Sequence, residues 1–145
     1  MNDRVLGFDY GTKKIGVAVG NRVTNTTQPL KPVFARNSQP NWQDIDALII
    51  EWKPGALVVG LPLNLDGSSG EMALKAGQFA DTLKTRHSIP VALIDERLSS
   101  SEADALIKET ILPGKSATRK RKNTRDSVAA ELILRTYLTD NSAPV

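Results

Sequence analysis

Three acids in this 145-residue chain have settings that suit chemistry: Asp9, Glu96 and Asp126. Asp9 stands near the end of Arg4-Val-Leu-Gly-Phe-Asp9-Tyr, whose alternation predicts a strand buried on at least one face. A carboxylate there is costly unless it is paired, hydrogen-bonded or metal-bound. Glu96, beside Asp95, follows a second apolar run, Pro90-Val-Ala-Leu-Ile. Asp126 falls in the first turn of the expected last helix, with Ala129, Ala130, Ile133 and Tyr137 at i+3, i+4, i+7 and i+11. A helix-dipole role explains its place along the helix but not the apolar stripe that it opens. If the first and last strands are neighbours and this helix crosses their ends, the three acids converge. Oxygen-only donors suit Mg²⁺ or Mn²⁺. Two such ions about 4 Å apart activate a water and stabilise the leaving oxygen of an in-line phosphodiester displacement.

A basic segment adjoins Asp126. Lys115, Arg119, Lys120, Arg121, Lys122 and Arg125 occur with no acid among them; the rest of the chain carries 13 Lys and Arg against 16 Asp and Glu, so it is acidic. The net charge of +3 therefore resides in one stretch, which points to a local polyanion contact. These bases would contact phosphates and position a nucleic acid without reading its sequence. Lacking apolar periodicity, the segment is expected to be a loop. Lys13 and Lys14, beside the first turn, are either phosphate contacts or solvated hairpin lysines. Arg97 is a candidate to orient a carboxylate or meet the substrate backbone, and Asn64, Asp66 and Gly67 either line an entrance or have only the ordinary composition of a strand-to-helix loop.

Several elements must position these groups. Gly11 turns the first strand into a second, carried by Ile15, Val17 and Val19. Thr26 to Arg36 reads as a short or edge strand because Pro29 and Pro32 remove ladder donors. Asn37 to Pro40 reads as loop. Trp42, Ile45, Ile49 and Trp52 predict a helix over 41–53 capped by Asn41, the Trp pair serving as core contacts. Ala56-Leu-Val-Val-Gly-Leu61 is a continuous apolar run, the mark of a strand buried on both faces. Residues 62–69 read as a loop at its carboxyl end, where open α/β sheets place ligands. Ser68 with Glu71 fits a capping box for a helix with Met72, Ala76, Phe79, Ala80 and Leu83 inward. His87 is expected at the surface just past that helix. Ser99 with Glu102 opens another helix, ended by Pro113-Gly114, and the last helix is expected from about Thr124 to Leu138. The order implies an α/β fold: a mixed five-stranded sheet, three antiparallel strands followed by β-α-β crossovers, flanked by helices. Residues 1–140 read as one domain and 141–145 as a tail.

Composition excludes other chemistries. With no cysteine and one histidine, thiolate catalysis, zinc-cysteine sites and His-rich clusters are out. No membrane-length apolar run or signal-peptide core is seen, so no membrane partner is expected and the default location is cytoplasmic.

Gly7-Phe-Asp9-Tyr-Gly-Thr-Lys-Lys-Ile-Gly-Val-Ala-Val resembles the opening motif of the YqgF-type, Holliday-junction-resolvase-like family, whose members are also described as pre-16S ribosomal RNA nucleases. Val59-Gly-Leu-Pro-Leu-Asn-Leu-Asp-Gly67, Asp95-Glu-Arg-Leu-Ser-Ser100 and Asp126-Ser-Val-Ala-Ala-Glu-Leu-Ile-Leu resemble its later motifs, in order over almost the whole chain. The resemblance implies an RNase H-like fold, a bacterial cytoplasmic protein and a divalent-metal site. By carry-over, Asp9, Glu96 and Asp126 are the acidic triad and Asp95 an auxiliary ligand. It implies a nuclease acting on structured RNA, with branched DNA as the alternative substrate, working as monomer or homodimer. Two other classes compete. Asp-x-Gly-Thr at a hairpin also occurs in actin-like ATPases and sugar kinases, although those need two such domains. A non-catalytic nucleic-acid-binding module would keep the basic segment and use its acids structurally.

Overall fold

The computed structural model describes residues 3–37, 39–62, 70–95 and 118–141, with side chains of the last segment described for 128–139. Its strands are β1 (Arg4–Asp9), β2 (Lys14–Asn21), β3 (Thr26–Arg36), β4 (Gln39–Pro40), β5 (Ala56–Leu61) and β6 (Val91–Asp95). Its described helices are α1 (Trp42–Trp52), α2 (Glu71–His87) and α3 (Thr118–Asn141). The strands form one mixed sheet in the order β4-β3-β2-β1-β5-β6. β1, β2 and β3 are successive antiparallel neighbours, whereas β5 and β6 run parallel to β1.

The alternation in β1 sorts its side chains between two helical layers. Leu6, Phe8 and Tyr10 join Ile15, Val17, Leu57, Val59, Phe79 and Leu83 in a core under α1 and α2. Val5, Ala18, Ala56 and Val58 meet Ala130, Ile133, Leu134 and Tyr137 of α3 on the other face. β5 contributes to both layers, as its unbroken apolar run requires. The expected inward positions Ala130, Ile133 and Tyr137 are buried, and Ala129 is half-buried.

α3 lies very close to the sheet. A Cβ on Gly7 would come within 2.6 Å of Leu134 Cγ and 3.3 Å of the Ala130 carbonyl oxygen. Leu138 packs at Gly20, which pairs with Val5, and Tyr137 accepts a 2.6 Å hydrogen bond from Arg22. The helix thus runs antiparallel to β1, its carboxyl end over the start of the strand. Glu131, a buried acid that no sequence pattern singled out, accepts a 2.7 Å hydrogen bond from Thr27 Oγ1 and ties β3 to α3.

The condition that β1 and β6 be neighbours is not met, since β5 lies between them. Several expectations are corrected. β3 spans 11 residues, not a short strand, because its register with β2 shifts between Ile15 and Val17. Val33 pairs with Ile15 and Leu30 with Val17, so one extra residue is absorbed beside Pro32, and Pro29 lies in the ladder opposite Ala18. Gln39–Pro40, expected as loop, pairs with the end of β3. The basic stretch from Thr118 is helix, so α3 begins six residues before the expected Thr124. Arg and Lys are good helix formers, and this segment needs no apolar stripe of its own when it extends a helix anchored further on.

Helix ends repeat this mixture. Asn41 caps α1 through its side-chain oxygen, 3.3 Å from the Asp44 amide, and Lys53 closes it with φ at 47°. α2 starts at Glu71 with Gly70 as its N-cap and no side-chain cap bond, so the Ser68–Glu71 box is not the helix start. His87 is the last residue of α2 and is not fully exposed: its side chain is 15% accessible and its Nε2 lies 2.8 Å from Asp46 Oδ1. Residues 63–69 and the expected helix after Ser99 lie outside the described residues.

Candidate active site

Asp9 is the last residue of β1, paired across the ladder with Gly16. Since Phe8 is buried beneath α1 and α2, strand alternation places Asp9 on the α3 face, half-buried. β1 is held on one side by β2 and on the other by β5, so this carboxylate sits at the end of an interior strand. The turn that follows is tight: a Cβ on Gly11 would lie 2.4 Å from the Lys14 carbonyl oxygen. Lys13 is exposed in that turn, with its carbonyl accepting the Ala35 amide at 2.8 Å, and half-buried Lys14 opens β2 opposite Phe34.

α3 brings position 126 to the same end of the sheet. Ala130 lies at Gly7, and position 126 is one helical turn further toward the N-terminus, the direction in which β1 advances from Gly7 to Asp9. The side chains of Asp126, Arg121, Lys122 and Arg125 lie outside the described residues, as do those of Arg119 and Lys120, although the backbone at all six positions is helical. Glu96, Arg97, Lys115, Asn64, Asp66 and Gly67 also lie outside the described residues.

Asp95 ends β6, paired with Leu61 of β5. Leu61 packs toward the α1–α2 core, so alternation puts Asp95 on that face, while Ala92 and Ile94 face α3. Asp9 and Asp95 thus share the carboxyl end of the sheet but not its face. Among the described residues no group of three His, Cys, Asp or Glu side chains is placed to hold a metal ion. Also among the described residues, no helix is long and apolar enough to cross a membrane.

The α1–α2 side carries a cavity of about 300 Å³ beside Tyr10, Trp42, Lys75 and Phe79. Trp42 stacks on Phe79 at 5.5 Å between centroids, and the Arg86 guanidinium lies 5.2 Å from its ring. Trp42 is therefore a core contact, as its spacing predicted, and Trp52 also packs against this core. Arg86 donates to both Asp46 oxygens at 3.0 and 2.8 Å. That guanidinium holds the Asp46 carboxyl below the usual carboxylate range, against the opposing effect of burial. The cluster lies between α1 and α2 at the carboxyl end of α2.

Comparison with known proteins gives this arrangement a lineage. A family model described as "RuvX: Holliday junction resolvase" matches residues 3–140. A Pseudomonas fluorescens protein named "Putative pre-16S rRNA nuclease" is 45% identical over 139 residues, covering 96% of this chain and 94% of that protein. An Alcanivorax borkumensis protein of the same name is 49% identical over 129 residues, covering 89% and 90%. In three dimensions the chain is similar to Thermus thermophilus RuvC in complex with a Holliday junction substrate, at TM-score 0.55 and 14% identity, with 96% of each chain covered. It is also similar to the fowlpox virus resolvase in complex with Holliday junction DNA, at TM-score 0.57 and 14% identity, covering 94% and 97%. These likenesses show the fold to be RNase H-like, of the RuvC type. With the family match spanning nearly its whole length and relatives this similar in sequence, the chain belongs to the RuvX family.

Proposed function

We propose that this protein is a divalent-metal-dependent nuclease that hydrolyses phosphodiester bonds in the 5′-end maturation of pre-16S rRNA, a cytoplasmic task. The observation that carries the reading is the setting of Asp9, an acid at the end of an interior strand, on the face crossed by α3. The relatives' shared name supports the substrate, because they match over nearly the full length of both chains.

Asp9, Glu96 and Asp126 would hold Mg²⁺ or Mn²⁺; Asp95, which the resemblance offers as an auxiliary, stands on the opposite face of the sheet from Asp9 and is left out of the proposed set. These are hard oxygen donors only, and such ions keep waters and accept phosphate oxygens. When bound, the ions acidify a water and neutralise charge on the leaving oxygen. The chain's own part would be to hold the carboxylates still: Asp9 through its pairing with Gly16 of β2 and the β5 ladder that ends at its neighbour Phe8, Asp126 through a helix seated on Gly7. Lys13, Lys14, Arg97, Lys115, Arg119, Lys120, Arg121, Lys122 and Arg125 would contact substrate phosphates and fix the scissile bond.

The family description and the resolvase neighbours favour a second reading, cleavage of a four-way DNA junction. That reaction calls for a symmetric dimer presenting two sites to two strands.

The test is cleavage of a labelled precursor-rRNA 5′ leader and a synthetic four-way junction in Mn²⁺, with Asp9→Asn beside wild type. Wild type is expected to cut the RNA, and Asp9→Asn to lose about 10³-fold or more in rate with thermal unfolding little changed. A fully active Asp9→Asn protein would overturn the site. Cutting of the junction alone would move the substrate to branched DNA, and binding of both without cutting would make this a binding module.

A further inference from the structure

Phe34 is 62% exposed although its neighbour Val33 is 2% exposed in the core. Val33 pairs with Ile15 and packs toward α1 and α2, so Phe34, paired with Lys14, stands on the opposite face. That is the face of Asp9. Two strand spacings across and two residues along separate Phe34 from Asp9, roughly 12 Å between backbones. α3 covers this face at the other end of β3, where Thr27 meets Glu131 and Gly20 meets Leu138, and leaves Phe34 open. Exposed Arg36 follows on the same face by alternation, and β3 contains no acid.

We propose that Phe34, flanked by Lys14 and Arg36, is a stacking platform for an unpaired base of the substrate, a few nucleotides from the phosphate at Asp9. The inference rests on the nuclease reading and deepens it: the substrate is single-stranded where it crosses β3. An aromatic face between cations suits a nucleic-acid strand, because every base has a π-face to stack and phosphates on both sides to neutralise. A second copy of the chain would fit less well. A two-fold contact centred on Phe34 would bring Lys14 and Arg36 of both copies together, and such like-charge contacts are unfavourable.

The experiment measures binding, not cleavage, in an Asp9→Asn background, so it stands apart from the activity test. The probes are a single-stranded RNA substituted with 2-aminopurine and a blunt-ended RNA duplex. Phe34→Ala is expected to weaken single-strand binding about tenfold and to leave duplex binding unchanged. Phe34→Tyr should restore it, and the 2-aminopurine quenching seen with Phe34 should disappear in Phe34→Ala. Unchanged single-strand affinity in a folded Phe34→Ala protein overturns the inference alone, as does an equal loss on the duplex. Sedimentation that shows Phe34→Ala turning a dimer into a monomer without affecting RNA binding assigns the surface to a second copy and also overturns it. A protein that binds neither probe removes the nucleic-acid reading and this inference together.

Discussion

The two faces of the sheet are packed by different means. Under α1 and α2, large side chains interlock: Phe79 meets Phe8 at 5.6 Å edge-on, Tyr10 at 5.2 Å tilted and Trp42 at 5.5 Å stacked. Under α3 the strands β1, β2 and β5 offer Gly7, Ala18, Gly20, Ala56 and two valines, with Ala92 and Ile94 of β6 alongside, and the helix backbone comes down close over Gly7. Bulk fills the first interface and closeness makes the second. Asp9 belongs to the second, one residue away from Tyr10 in the first. A strand's alternation thus joins a stabilising layer to the proposed chemical one within a single dipeptide, and over β1 and β2 the helix rests on glycine and alanine without bulky spacers.

That contrast can be broken from either side. Phe79→Ala should cost the most stability, about 3–5 kcal/mol in urea denaturation, since it removes the ring shared by three aromatic contacts. Cleavage per folded molecule should survive it. Gly7→Ala should cost less, about 1–3 kcal/mol, because the new methyl meets Leu134 and the Ala130 carbonyl. Its cleavage rate, corrected for the folded fraction, should nonetheless fall about tenfold, because the shift is passed to position 126 and a small misplacement of catalytic groups is costly. Intact corrected activity in Gly7→Ala would show that the seat of α3 does not set the site. The smallest effect is expected at Asp46. With its carboxyl lowered by Arg86, its contribution to stability is present above its ordinary value of 3.8 and lost as pH falls through the lowered one. Asp46→Asn should therefore flatten that part of the acid limb of the unfolding curve and leave cleavage at neutral pH unchanged.

Local patterns in the sequence revealed most elements. The alternation in β1 and β2, the unbroken run of β5 and the Asn41 cap all express short-range physics, and the structure repeats them. What escaped depends on partners distant in sequence. No local signal says that β5 separates β1 from β6, because strand order is decided by which surfaces are buried after the crossovers form. Pro29 and Pro32 predict a short or edge β3; the strand is long, because the extra residue beside Pro32 lets pairing with β2 resume on either side, and beyond β2 it pairs, among the described residues, only at Ala35 and Arg36 with β4. The start of α3 lacks a local signal for a related reason: its first turns are fixed by continuity with the buried part of the helix and not by an apolar stripe. Of the site, the place of Asp9 was legible from the alternation around it. The face of Asp95 was not, since it follows from β6 pairing with β5.

The basic stretch from Thr118 is the opening of a helix. Had residues 118–125 been a loop, ordering them on a polyanion would cost about 1–2 kcal/mol per residue in backbone entropy, against the attraction of the charges. As the opening of α3 they continue a helix whose later turns are buried against the sheet. Most of that entropy is lost when the chain folds, so if these residues contact the substrate as proposed, a phosphate backbone would meet bases carried on a framework that has already been ordered.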